Sequence, residues 1–201
     1  MEKLQKTAKH LDTFFKIIYR VTFAAVIIAS VAIAIMWLLY LGDPDILELF
    51  HPDLDFGMIS FRLADSVAPS GRYGFLFLLL GSVVGILDTI VFCMMFCTIR
   101  SILAPLKEGR PFHDEIAPNL KKLGWLTIAN GIIGNVGNLI THGNLLSGYN
   151  LSELFLSDKI TRVTIDYTFT TSFILYAVLL FLLSYIFQYG GELQQLSDET
   201  L

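Results

Sequence analysis

Four long apolar stretches dominate the sequence and restrict the folds that the chain can adopt. They cover residues 21–41, 74–99, 124–146 and 165–187. A helix needs ~20 apolar residues to cross the ~30 Å hydrocarbon core of a bilayer. Only 16% of the residues are charged, whereas roughly 25% are charged in a typical soluble domain. The sequence therefore predicts an all-α integral membrane protein, a bundle of four transmembrane helices. It excludes a disordered chain, a soluble enzyme and a nucleic-acid-binding domain.

Two of these stretches leave an alternative open. The third is the most polar, and it is either a full span or a segment that is buried among the others or re-entrant. Its polar side chains are Asn130, Asn135, Asn138, His142 and Asn144. The first has a basic start, and its Ala32-Ile-Ala34 resembles a signal-peptide cleavage site. Because its apolar run continues to Leu41, we expect an uncleaved membrane anchor.

Lysine and arginine predict the orientation of the spans. Of the 14 such residues, ten lie in segments 1–20 and 100–123, and four lie in segments 42–73 and 147–164. Cytoplasmic loops of membrane proteins carry the excess of basic residues. We therefore expect both termini in the cytoplasm, with an acidic tail at 188–201.

The segments outside the spans are also patterned. Residues 1–20 form an amphipathic helix, whose stripe is either interfacial or a docking surface; its members are Leu4, Ala8, Leu11, Phe15 and Ile18. The acidic loop 42–73 is rich in apolar residues, so we expect it to fold as a short helix or a strand pair. Segment 100–123 is predicted to be a helical hairpin, because Gly109 and Pro111 are typical of a helix end. Phe112 is expected to pack back onto that helix end. The second helix of the hairpin is expected to open near Asp114 or Pro118 and to run into the third span.

Asp88 is the most unusual residue of the apolar stretches. It lies near the middle of the second span, where a carboxylate costs ~2.5–3.5 kcal/mol. The midpoints of the other three spans lie near Ser30, Asn135 and Tyr176. Matching these depths predicts one intramembrane polar cluster of four side chains. The cluster either responds to protons or a ligand, or holds the helices together by hydrogen bonds.

Small residues predict close packing of the second and third spans. Gly81 and Gly85 form a GxxxG motif, and Gly131, Gly134 and Gly137 lie on the third span. Cys93 and Cys97 are one helical turn apart and are expected to be apolar fillers. The four histidines have no metal-ligand spacing, so neither a metal nor a cofactor is predicted.

Two short motifs resemble those of a bacterial family of small four-span membrane proteins of unknown function. The first is Gly109-Arg-Pro-Phe112 followed by Leu120-Lys-Lys-Leu-Gly124, and the second is Gly190-Gly-Glu-Leu-Gln194 before an acidic end. The likeness covers residues 15–201. The inner loop has fewer arginines than is usual there, and His113-Asp-Glu115 replaces a Thr/Ser-Pro-Glu. The resemblance implies a multi-pass location in the plasma membrane of a bacterium, and a gene beside a small Xre-type helix-turn-helix regulator.

These observations lead to two hypotheses of function. The first is a non-enzymatic regulatory membrane protein that binds the small DNA-binding regulator and makes no direct contact with nucleic acid. Its expected surface consists of Lys107, Gly109, Arg110, Pro111, Phe112, Glu192, Leu193 and Gln194. The second is a small oligomeric transporter or channel with a polar path around Asp88. An intramembrane enzyme is not expected, because no HExxH, GxSxG or paired acidic motif is present.

Overall fold

A computed structural model describes residues 2–43, 53–55, 60–62, 71–148 and 169–199. Within them the chain forms four long helices and one short strand pair. The helices are α1 (Glu2–Gly42), α2 (Gly71–Lys107), α3 (Ile116–Gly148) and α4 (Ser172–Glu199). Strands β1 (Asp53–Asp55) and β2 (Ser60–Arg62) are antiparallel, with Leu54 opposite Phe61. Of the two forms expected for loop 42–73, its described part takes the strand pair.

All four helices are long and apolar enough to cross a membrane. The qualifying stretches are Gln5–Gly42, Leu78–Lys107, Ile116–Thr141 and Ser172–Ser197. Their apolar side chains are largely exposed, which fits contact with lipid better than contact with water. The fold is thus consistent with a multi-pass membrane protein, as the apolar stretches predict.

The helix bounds differ from the predicted spans in three places. Segments 1–20 and 21–41 are one continuous helix rather than two elements. Helix α3 begins at Ile116, eight residues before the predicted span. Helix α4 begins at Ser172 rather than at residue 165, and residues 165–168 lie outside the described part. Hydropathy marks the apolar part of a helix, whereas helix ends depend on local hydrogen bonds that hydropathy does not detect.

The chain divides into two compact units. The first comprises Met1–Ile27, Leu87–Asn135 and Phe169–Leu201, and the second comprises Ile28–Ile86 and Val136–Thr168. Every side chain that is described as buried belongs to the first unit, and Ile116 is the most enclosed large one. These side chains are Ala8, Thr98, Leu103, Pro105, Ile116, Leu120, Leu123, Ala177 and Ser184. In the second unit, Trp37 packs edge-on against Phe75 and donates a hydrogen bond to Ser82.

Candidate functional site

The turn between α2 and α3 is built by a glycine at the end of α2. Gly109 has φ +77°, a left-handed conformation that suits glycine. The N–H of Arg110 donates to the carbonyl of Pro105 at 3.0 Å, and the N–H of Gly109 donates to that of Leu106 at 3.2 Å. This pair of bonds is a Schellman motif. The predicted stop at Gly109 is therefore confirmed, and the motif fixes the direction in which residues 110–115 leave the helix.

Phe112 extends from this turn to α4 rather than back to α2. Its ring lies on Gly190, where any Cβ atom would overlap it, and its centroid is 5.9 Å from that of Phe187. The expected packing onto the end of α2 is corrected by this placement. The bare backbone at Gly190 gives the ring space that a side chain would occupy.

The seated Phe112 divides two hollows between the turn and α4. We call the first, of about 670 Å³, the turn groove. It is lined by residues 109–114 and by Gly190, Gly191, Leu193, Gln194 and Gln195. The second, of about 450 Å³, also has Phe112 in its lining and includes Ser184 and Glu192. Both hollows combine apolar walls with polar rims, as binding sites commonly do.

Most of the partner surface expected from the sequence meets at the turn groove. Gly109, Arg110, Pro111 and Phe112 form one wall, and Leu193 and Gln194 belong to the other wall. Glu192 lines the second hollow instead. Lys107 lines neither hollow, because its ammonium group is bound elsewhere.

Lys107 and Arg100 both bind Asp12 of α1. The Lys107 Nζ donates to the Asp12 Oδ2 at 2.7 Å, and the Arg100 Nε lies 3.5 Å from Oδ1. The hydrogen bond from Lys107 lowers the pKa of the Asp12 carboxyl below its usual value, and the charge of each cation adds to this effect. Asp12 was not among the predicted site residues. The sequence does indicate Asp12, because it is the only acid in residues 3–42 and follows Ala8 by one helical turn.

Ala8 and Phe15 flank Asp12 on the packed face of α1. Ala8 is buried, and the ring of Phe15 lies 6.3 Å from that of Phe96 in α2. The amphipathic stripe expected for residues 1–20 therefore packs, at these two positions, inside the protein. Its apolar character serves the helix bundle there, rather than a membrane interface or a partner.

The charges at the rim of the turn groove are partly paired. Arg110 forms an ion pair with Glu108, and this hydrogen bond lowers the pKa of the Glu108 carboxyl. Both side chains remain more than half exposed. His113 and Asp114 add further polar groups to the same rim. A partner approaching the groove therefore meets both signs of charge around an apolar floor.

Asp88 has a hydrogen-bonded amide partner, but it is not the expected one. The Asn130 Nδ2 donates to the Asp88 Oδ1 at 2.8 Å. Asn135 instead forms two hydrogen bonds with the backbone of Thr170, each 3.0 Å long. The residue of α3 beside Asp88 therefore lies five positions nearer the turn than the midpoint of the predicted span. Matching midpoints does not determine the register of two packed helices.

The other two members of the expected cluster are exposed. Tyr176 is 58% exposed on α4. Ser30 is also exposed, and it belongs to the second unit. Asp88 and Asn135 thus have separate partners, and the structure does not gather these residues into one buried site.

The glycines of α3 pack against α4 rather than α2 in the first unit. The ring of Phe173 occupies the space beside Gly131, and the ring of Phe181 does so beside Gly124. No described atom lies within 4 Å of a Cβ built at Gly81, Gly85 or Gly134. Close packing of the second and third spans is met instead in the second unit, where a Cβ atom at Gly137 would lie 3.1 Å from the Val84 side chain. Spacing identifies a small-residue face but not the helix that it meets.

Within the described residues, no three His, Cys, Asp or Glu side chains are grouped as metal ligands. Cys93 and Cys97 are both free thiols.

Comparison with known proteins gives no family, no curated protein and no solved structure that matches the chain. The resemblance to the four-span family, and its gene context, remain predictions.

Proposed function

We propose that the protein is a non-enzymatic membrane anchor for a small cytoplasmic regulator. In this account both termini and the turn groove face the bacterial cytoplasm, as the ten-to-four distribution of basic residues favours. The regulator binds in the groove and is held at the membrane or released from it. The partner suggested by the family resemblance is a helix-turn-helix protein.

The observation that carries this proposal is the seating of Phe112 on Gly190. It joins two segments about 80 positions apart and opens a hollow of about 670 Å³ between them. Two of its wall residues, Pro111 and Leu193, are apolar, and Leu193 is 50% exposed. A pocket of this size admits one or two large apolar side chains of a partner, which are the usual anchors of an interface.

The charges near the groove suit a basic partner. Glu192 and Glu199 are exposed on α4, and Asp114 lies on the groove rim. DNA-binding domains are rich in Lys and Arg, and opposite charges speed the encounter of two proteins. Arg110 is already paired with Glu108, so its charge opposes such a partner less.

The alternative of a transporter receives less support. Asp88 accepts a hydrogen bond from Asn130 within the first unit, and this is how a structural carboxyl in a membrane is expected to be held. A transport path would also need Asn135 and Tyr176 beside Asp88. Asn135 binds Thr170, and Tyr176 is exposed.

The test is retention of a soluble regulator on native membranes that contain the tagged full chain. Leu193→Asp places a charge in the groove and is expected to release the regulator into the soluble fraction. Leu196→Asp is the matched control, because it adds the same charge three residues further along α4, outside the lining of both hollows. Equal retention by the parent and both variants, or equal release by both variants, contradicts docking in the groove.

A further inference from the structure

Contacts between neighbouring helices show which of their residues lie side by side in the first unit. Asp12 pairs with Arg100, and Phe15 packs on Phe96, so residues 12–15 of α1 lie beside residues 96–100 of α2. Helices α2 and α3 run in opposite directions at the same rise of about 1.5 Å per residue. Counting twelve residues from the Asp88–Asn130 pair places Arg100 level with Pro118.

Helix α4 can be aligned with α3 in the same way. The Ser184 hydroxyl donates to the carbonyl of Ala117 at 2.7 Å, and the Phe181 ring lies 5.5 Å from that of Trp125. Residues 181–184 of α4 therefore lie beside residues 117–125 of α3. The aligned residues of the four helices thus form one layer of the first unit. In this layer the apolar part of each helix ends and the charged part near the turn groove begins.

Four exposed cations lie at or next to this layer, and we call them the boundary belt: Lys16, Arg20, Lys121 and Lys122. Lys16 follows Asp12 by one helical turn, and Arg20 lies one turn further into the apolar part of α1. Among the side chains that the structure describes, the acids in ion pairs bind Arg100, Lys107 and Arg110, not the belt. The belt therefore presents positive charge without an acidic partner from these residues.

The surface beside the belt is apolar. Trp125 is 59% exposed one turn above Lys121, and Ile17 and Val21 are exposed beside Lys16 and Arg20. Tryptophan at the edge of an apolar surface is typical of the headgroup level of a membrane. Lysine and arginine can lie along such a surface while their charged groups reach the phosphates. A soluble anionic partner would not need this apolar border, so the combination favours a lipid.

We propose that the boundary belt binds the phosphate groups of anionic phospholipids and selects them over zwitterionic lipids. The attraction is electrostatic, and each cation near a membrane surface adds to it. Arg20 can bind a phosphate through two parallel hydrogen bonds. This inference concerns a different surface from the turn groove and is independent of the docking proposal.

The two tryptophans of the chain allow a direct test. In Trp37→Phe, Trp125 becomes the only tryptophan, and the new ring can keep the contact with Phe75. The full chain is placed in phosphatidylcholine vesicles, and either phosphatidylglycerol or phosphatidylcholine with brominated tails is added as a quencher. At low salt, we expect brominated phosphatidylglycerol to quench Trp125 at a mole fraction at least about threefold lower than brominated phosphatidylcholine requires. High salt is expected to weaken this preference.

Two sets of substitutions separate charge from structure. Changing all four belt residues to Gln is expected to bring the ratio of the two quenching mole fractions close to 1. Exchanging Lys for Arg and Arg for Lys at the same positions keeps the charge and is expected to keep the preference. In Trp125→Phe, quenching of Trp37 is expected to show a weaker preference. Residues 21–42 contain no Lys or Arg, and Arg72 is a single cation one turn from Phe75, which Trp37 contacts.

The inference is overturned if Trp125 is quenched equally by both lipids at low salt. That result would assign the belt to a soluble anionic partner. It is also overturned if the four-Gln variant keeps the preference. Where that variant fails to fold, the pairs Lys16→Gln with Arg20→Gln and Lys121→Gln with Lys122→Gln are made separately, and each is expected to reduce the ratio. The salt titration of Trp37→Phe needs no belt variant and gives the same decision.

Discussion

The ring of Phe112 rests on the bare backbone of Gly190, and this contact joins the α2–α3 turn to the last helix. The turn groove exists because of it, since the two walls of the groove come from residues 109–114 and 190–195. The contact depends on a missing Cβ atom on one side and on the direction of the Gly109 turn on the other. Both can be altered by single substitutions.

Gly190→Val is expected to displace the Phe112 ring and to destabilise the fold by about 1–3 kcal/mol, as overpacking does. Gly191→Ala is the matched control, because its added Cβ meets the Phe112 carbonyl oxygen at 3.5 Å, an ordinary contact. Alanine is also favoured over glycine in a helix by roughly 0.5–1 kcal/mol. Thermal unfolding in mild detergent compares the two. Equal effects of both substitutions would show that the ring contact is unimportant.

Gly109→Ala is expected to weaken the turn, because the left-handed conformation costs a residue with a Cβ atom about 1–2 kcal/mol. Gly109→Asn is expected to cost less, since asparagine tolerates this conformation. Gly134 lies within helix α3, and no described atom is close to the position of an added Cβ atom. Gly134→Ala should therefore leave stability unchanged or raise it slightly. Unfolding midpoints of the three variants test this order, and an alanine at 109 as stable as the parent would contradict it.

Asp12 is expected to make stability depend on pH in the acid range. Its folded-state pKa lies below the usual value of 3.8, because Lys107 donates a hydrogen bond to the carboxylate. The stabilisation is therefore complete above 3.8 and is lost as the pH falls through the lower folded-state pKa. Denaturation measured between about pH 2 and 6 should show a weaker pH dependence for Asp12→Asn than for the parent.

Asp12→Asn should also lower stability at neutral pH by about 1.5–3 kcal/mol, the range for hydrogen bonds to charged groups. Asp114→Asn is the control, because Asp114 is an exposed acid of the turn. If Asp12→Asn leaves the acid profile unchanged, the ion pairs with Lys107 and Arg100 do not contribute to folding.

Asp88 and Asn130 are expected to act as a structural pair. A double-mutant cycle with Asp88→Ala and Asn130→Ala should give a coupling energy near 0.6 kcal/mol and below about 1.7 kcal/mol, as for other hydrogen bonds in membranes. Asp88→Asn keeps the shape and a hydrogen-bonding group, so it should fold like the parent at every pH. A pH-dependent property that Asp88→Asn abolishes would instead indicate a proton-responsive site.

Patterns within one helix were predictable from the sequence, whereas partners between helices were not. The four apolar helices and the stop at Gly109 follow from hydropathy and from the conformational freedom of glycine. The partners of Phe112, Asn135 and Gly131 depend on helix rotation and register, which short turns and the exact helix starts determine. Helix α3, for example, places Asn130 rather than Asn135 beside Asp88.

The expected partner surface shows the same division. Residues 109–112 and 193–194 were grouped because both segments were predicted on one side of the membrane, and the structure brings them to one groove. The sequence did not indicate that Lys107 is occupied by Asp12. It also did not indicate that a phenylalanine seated on a glycine shapes the groove.

Photo-crosslinking in living cells tests docking in the turn groove most directly. A photoreactive residue is placed at Leu193 in the groove. As a control it is placed at Leu38, an exposed leucine near the C-terminal end of α1. The account predicts one crosslinked soluble DNA-binding protein from position 193, lost when Gly190→Val is added, and none from position 38. No soluble adduct at position 193, or the same adduct at both positions, would contradict it.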